Sequence, residues 1–255
     1  MLNSVSRIKG SALAASDGEI GHVREVFFDD HLWTIRYLVV DTGGWLSGRN
    51  VLISPYSVQQ PLRQGQPIEV ALSRQQVKDS PDIDTHQPVS RRAERQYNSY
   101  YAYPEYWVGD GLWPMGPIPL LPPPVTGGAD SPVAAAVDDN VPPEDVHLRS
   151  SAAVDGHNIQ ATDGSIGHVD DFVFDDASWA IRYLVVDTRN WWPGGKKVLV
   201  GTHWIESIEW AEKTVHVRLT RQQIQDAPAY DESRPIDRDY EARLHAALGR
   251  QGYWD

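Results

Sequence analysis

The chain of 255 residues contains no cysteine, which excludes disulfides, thiolate metal ligands, cysteine nucleophiles and iron–sulfur ligation. No apolar run approaches the roughly 18 residues that a membrane-crossing helix needs. The opening stretch MLNSVSRIKG lacks the apolar segment of a secretory signal, so a cytoplasmic location is expected. Basic residues are scarce: 23 Lys plus Arg face 35 Asp plus Glu, a net charge of −12 that disfavours a phosphate backbone as partner. A glycine-rich phosphate loop, a serine-centred elbow and a His-Glu-x-x-His helix are also missing. Nothing assembles an acid, a base and a nucleophile, so neither enzymatic activity nor a cofactor is expected.

What the chain does contain is a copy of itself. Residues 10–42 and 156–188 align without a gap and are identical at 20 of 33 positions. After one inserted residue, RNVLISPYSV matches KKVLVGTHWI, and VALSRQQVKDSP matches VRLTRQQIQDAP. The match runs on to Tyr106-Trp107 opposite Tyr253-Trp254. A unit this long is a duplicated domain rather than a solenoid repeat. The expected units are residues 1–107 and 148–255. Residues 108–147 join them, with nine of the 18 prolines, six acids and no Lys or Arg. Proline removes donors and fixes φ, so this linker supports neither helix nor strand. Half of the net charge resides there, and each unit is only mildly acidic. The linker is either a spacer or, through Leu112, Trp113, Met115, Ile118, Leu120 and Leu121, a segment that packs across the units.

Within each copy the pattern is that of short strands. EIGHVREVFFDD alternates, with Ile20, Val23, Val26 and Phe28 dominating, and ends in the polar turn pair Asp29-Asp30. WTIRYLVVDT is β-branched and aromatic, and predicts a strand buried on both faces from Leu38 to Val40. Five or six such runs in about 70 residues predict a mainly β fold of two small barrels. Ser73 and Thr220 are placed to cap short helices ending before Pro81 and Pro228, and Ser90 and Asp237 to cap a second pair. Tyr97, Tyr100 and Tyr101 share a helix face, as do Tyr240, Leu244, Ala247 and Leu248. Such a stripe packs on its own barrel, on the other copy or on a second chain.

The strings DGEIGHVREVFFDD…IRYLVVDT…VLISPYSV…VALSRQQVKDSP and DGSIGHVDDFVFDD…IRYLVVDT…VLVGTHWI…VRLTRQQIQDAP resemble the PRC-barrel family over residues 5–80 and 150–227. The tail PVSRRAERQYNSYYAYPEYW is similar to that of bacterial stand-alone members. The family joins the cytoplasmic part of the photosynthetic reaction-centre H subunit to the C-terminal domain of a ribosome maturation factor. The resemblance implies a docking barrel followed by short helices, without a shared catalytic residue set. The transmembrane helix of the first relative and the RNA-processing half of the second have no counterpart here.

Several duplicated residues are candidates for binding. Arg36 and Arg182 lie inside the most apolar strand and invite pairing with an acid on a neighbouring strand or across the units. Asp41 and Asp187 end that strand and are placed to cap the following turn. That turn carries Trp45 in copy one and Trp191 with Trp192 in copy two, which either cap an open barrel end or meet a partner. His22 and His168 occupy the same strand position, and Asp29-Asp30-His31 offers hard donors, but with too few spaced ligands for a metal site. The expectation is a non-enzymatic protein-interaction or assembly module whose two copies pack about a pseudo-two-fold axis. The alternatives are a ribosome- or RNA-associated factor and a small-ligand or metal-binding module.

Overall fold

The computed structural model describes residues 1–59, 61–63, 65–83, 89–109, 111–121, 147–191 and 193–254. The first copy supplies β1 (Leu2–Ser4), a single helical turn α1 (Val5–Ile8), β2 (Ala12–Ala15), β3 (Gly18–Asp29), β4 (Thr34–Asp41), β5 (Asn50–Ile53) and β6 (Ile68–Glu69). Helices α2 (Arg74–Lys78) and α3 (Arg91–Tyr101) follow. The second copy repeats the order with β7 (Leu148–Ser150), α4 (Ser151–Val154), β8 (Asn158–Ala161), β9 (Gly164–Asp175), β10 (Ile181–Asp187) and β11 (Lys197–Gly201). It continues with β12 (Ile205–Glu209), β13 (Thr214–Val217), α5 (Arg221–Asp226) and α6 (Arg238–Ala247). The fold is mainly β, as expected. Among the described residues no helix is long and apolar enough to cross a membrane.

The long strand β3 shows why its apolar residues are spaced by three rather than two. Its register shifts against β2 between Glu19 and Gly21, and against β4 between Val23 and Glu25 and again between Phe27 and Phe28. Each irregularity resets the side-chain alternation, so Ile20, Val23, Val26 and Phe28 are all buried. Gly21 is required within it: a Cβ there would stand 2.0 Å from the Asp41 carbonyl oxygen of β4. Leu38, Val39 and Val40 are fully enclosed on both faces.

The two sheets are not made each from its own copy. One has the order β5-β4-β3-β2-β6 with β7 added on β3; the other runs β11-β10-β9-β8-β13-β12 with β1 added on β9. Leu2, Asn3 and Ser4 lie antiparallel to Asp175, Phe174 and Val173. Leu148, Arg149 and Ser150 lie antiparallel to Asp29, Phe28 and Phe27. Each copy thus lends its first strand to the other, and the exchange is symmetrical. At the axis, the Ile35 amide donates to the Trp179 carbonyl at 2.9 Å and the Ile181 amide to the Trp33 carbonyl at 2.6 Å. Phe28 meets Phe172 across the same boundary at 5.5 Å. The expected pseudo-two-fold contact between barrels is therefore present, and one apolar core runs through both.

The capping residues act as the sequence suggests. Ser73 and Thr220 form reciprocal capping boxes with Gln76 and Gln223, while Ser90 and Asp237 accept the Ala93 and Tyr240 amides. The expected helix stripes need correction. Tyr100 is 41% exposed and Ala247 is also exposed; the buried face of α3 is Glu94, Tyr97 and Asn98, and that of α6 is Glu241, Leu244 and His245. A glutamate sits at the centre of each because the barrel and the trailing chain offer it tyrosine hydroxyls.

Candidate functional site at the junction of the units

Each copy closes on the same polar lock. In the first, Tyr37 of β4 and Tyr106 of the tail donate to Glu94 Oε1 at 3.1 and 2.7 Å. Arg91 pairs with Glu94 Oε2 at 3.1 Å and stacks on Trp107 at 4.2 Å. In the second, Tyr183 and Tyr253 donate to Glu241 Oε1 at 2.8 and 2.9 Å, and Arg238 stacks on Trp254 at 4.1 Å. The repeated Tyr-Trp dipeptide of the tails is therefore the latch of each helix. Burial pushes the Glu94 carboxyl up to about 7, against the opposing pull of Arg91 and the two hydroxyls.

This lock makes stability depend on pH. The folded state holds a proton on Glu94 that the unfolded chain releases near the ordinary carboxylate range. Its contribution is greatest in acid and falls as pH rises from there through about 7. Glu94→Gln keeps the acceptor without the charge. Relative to wild type, the variant should gain on the order of 2–3 kcal/mol between pH 5 and pH 8. Paired calorimetric melts at the two pH values measure this; parallel shifts of both proteins would refute it.

The strand arginines sit beside these locks and differ sharply in cover. Arg36 is 1% exposed; it pairs with Asp29 of β3 at 3.1 Å and lies 4.0 Å over Tyr106. It also donates to the Leu112 carbonyl at 2.5 Å, and its guanidinium is 4.8 Å from the Trp113 ring. Trp113 is buried at 2% exposure, touches Tyr56 edge-on at 5.0 Å and donates its indole N–H to the Ser178 carbonyl of the second unit at 2.8 Å. The linker therefore packs across both units through Leu112 and Trp113, while Met115, Ile118, Leu120 and Leu121 stay exposed. Residues 122–146 lie outside the described residues.

Arg182 is only half-buried and lies 4.5 Å over Tyr253. Beside it opens a cleft of about 690 Å³ between the units. Leu32, Trp33, His147 and Arg149 line one side of it, and Arg182, His203, Trp210 and Arg218 the other. Arg149 stacks on Trp210 at 4.1 Å and binds Asp30 at 2.7 Å. Partial desolvation of the ring, reinforced by His245 and nearby arginines, lowers His203 to about 4, so its ring is neutral near pH 7. Asp30, His31 and His147 bring one donor atom each within 4.8 Å of one another. That trio has the chemistry to hold a borderline divalent ion. His147, 116 positions after His31 in the chain, joins a turn that sequence alone offers no third ligand for.

The remaining described candidates lie outside the lining of the cleft. Trp45 folds back as a cap: its indole donates to the Ile20 carbonyl and Arg74 stacks on it at 4.5 Å. Trp191 is 42% exposed, and Trp192 lies outside the described residues. Asp41 and Asp187 cap their turns, accepting the Gly43 and Arg189 amides at 2.9 and 2.8 Å. Asp187 is also gripped by the Arg189 side chain, which holds its carboxyl below the usual range. His22 is exposed on β3 between Ala12 of β2 and Asp41 of β4, whereas His168 groups with Asp170 and Asp187. Among the described sequence candidates, Arg182, Asp30 and His31 line the cleft. Trp33, Arg149, His203 and Trp210 were not legible as site residues. The duplicated Trp33 and Trp179, each at positive φ on the turn into the central strand, were the available signal.

No curated protein matches this chain. Residues 2–62 match the family model of the PRC-barrel domain. They span β1 to β5, including the exchanged strand and the two strands that carry Asp29 and Arg36. That stretch of the chain is thus similar to a PRC-barrel domain.

Proposed function

We propose that this chain is a non-enzymatic protein-interaction or assembly module of the cytoplasm, which works by docking peptide segments on its barrel units. One observation carries the reading: the chain's own segment around Leu112 and Trp113 is already docked in this way, by one backbone carbonyl on Arg36 and one buried indole. A buried tryptophan with a satisfied N–H is the kind of anchor that dominates peptide and protein interfaces. The cleft between the units offers a second such surface, rimmed by arginine and histidine and therefore suited to carbonyl and carboxylate groups.

A photo-crosslinking amino acid in place of the exposed, cleft-lining Ser207 tests this in the cells that make the protein. The expected result is a discrete protein adduct, identified by mass spectrometry and reproduced with the purified partner. Adducts consisting of RNA would instead support a ribosome-associated role. Capture of neither macromolecule from a well-expressed variant would defeat the docking role of the cleft.

A further inference from the structure

The internal symmetry relates the Trp113 seat on the first unit to the open cleft on the second. The seat is built from Arg36, Tyr56, Ser178 and Tyr106, with Trp179 beside Ser178 in the same turn. The alignment of the copies maps these onto Arg182, His203, Leu32, Tyr253 and Trp33. The cleft is lined by Arg182, His203, Leu32 and Trp33 together.

The two sets differ in cover at every position. Arg36, Tyr56, Ser178, Tyr106 and Trp179 are all buried. Arg182, Tyr253 and Trp33 are half-buried, His203 is exposed and Leu32 is 41% exposed. Equivalent backbone positions with unequal cover mark the difference that a docked tryptophan makes.

The hydrogen-bonding groups are preserved as well. The Leu32 carbonyl, counterpart of the Ser178 carbonyl, accepts the Thr34 hydroxyl at 3.0 Å and keeps a second lone pair. Arg36 has Asp29 as its carboxylate, but the equivalent Asp175 is held by the Ser178 hydroxyl at 2.8 Å. Arg182 is left with a long contact of 3.5 Å to Ser178 Oγ. The second seat therefore offers an acceptor for an indole N–H, an aromatic wall in His203, and an arginine short of an anionic partner.

We propose that this cleft is a binding site for a tryptophan-bearing peptide turn with a nearby carboxylate, docked as the Leu112–Gly116 turn is docked on the first unit. The indole fills the space between His203 and Leu32, and the preceding carbonyl or the carboxylate takes Arg182. The proposal rests on the peptide-docking reading above and names the chemistry of its occupant.

The probe is a synthetic peptide of the chain's own residues 110–117, DGLWPMGP, capped at both ends and titrated into the full chain. The intramolecular copy holds the first seat through its high effective concentration, which leaves the cleft for the added peptide. In ¹⁵N-resolved spectra, saturable shifts are expected at Leu32, Arg182, His203 and the Trp210 indole. Replacing the peptide's tryptophan by alanine, or Arg182→Ala in the protein, should weaken binding by at least about tenfold. His203→Ala is a second variant at an exposed position, should the first disturb folding.

Absence of binding, or binding that neither variant weakens, would overturn the proposal. If the peptide fails while the Ser207 probe still captures a defined protein, the docking function stands and the tryptophan chemistry falls.

Discussion

Replacing Arg36 by methionine is expected to cost about 3–5 kcal/mol of stability, whereas the same change at Arg182 costs about 1 kcal/mol or less. The two residues occupy one position of a duplicated strand, so sequence gives no reason for a difference. Burial gives it. At Arg36 the substitution strands Asp29, itself only 6% exposed, as a charge without its cation, and removes the donor to the Leu112 carbonyl. It also takes the guanidinium from between Tyr106 and Trp113. At Arg182 the guanidinium faces the cleft, and its loss leaves no buried carboxylate behind. Urea denaturation of the two single variants measures the asymmetry, and equal losses would show that the seat contributes nothing.

Deletion of residues 2–4 should damage the half of the molecule farther along the chain. These residues form β1, whose partners are Val173, Phe174 and Asp175 of β9. Removing a three-residue strand forfeits backbone hydrogen bonds worth about 1 kcal/mol each, with the burial of Ser4 and part of Leu2 in addition. A loss of roughly 2–4 kcal/mol follows, a large part of a normal folding free energy. Hydrogen exchange read by mass spectrometry should show faster exchange over β9, with little change in β2. Exchange confined to the first copy would contradict the strand swap. Because each sheet holds a strand from the other copy, wild type should also melt in a single calorimetric transition.

Much of this architecture is written locally in the chain. The duplication, the caps at Ser73 and Thr220 and the enclosed Leu38–Val40 stretch each follow from a few adjacent residues. The in-strand arginines were legible as charges needing a partner, and Trp113 as apolar surface in excess of what a spacer needs. The strand exchange was not legible, because LNS and LRS are too short to carry a pattern and their pairing is decided across the pseudo-two-fold axis. The cleft escaped for the same reason. Trp33, His147 and His203 come from three distant stretches, and only the docking of the two copies places them together. Within α3 and α6, the apolar stripe misled because the residue each helix buries most purposefully is a glutamate.

The crossed strands also set an order of events during synthesis. β1 is made well before β9, so its place in the sheet does not exist until about 170 further residues have followed. β3 in turn waits for Leu148–Ser150 with one edge uncovered. Neither sheet can be completed until its partner segment in the second copy has been made, so assembly depends on distant pairings, which form slowly. During that interval two nascent molecules held close together can trade first strands in competition with pairing inside one chain. Crowded synthesis should therefore yield interlocked dimers that dilution separates only through unfolding.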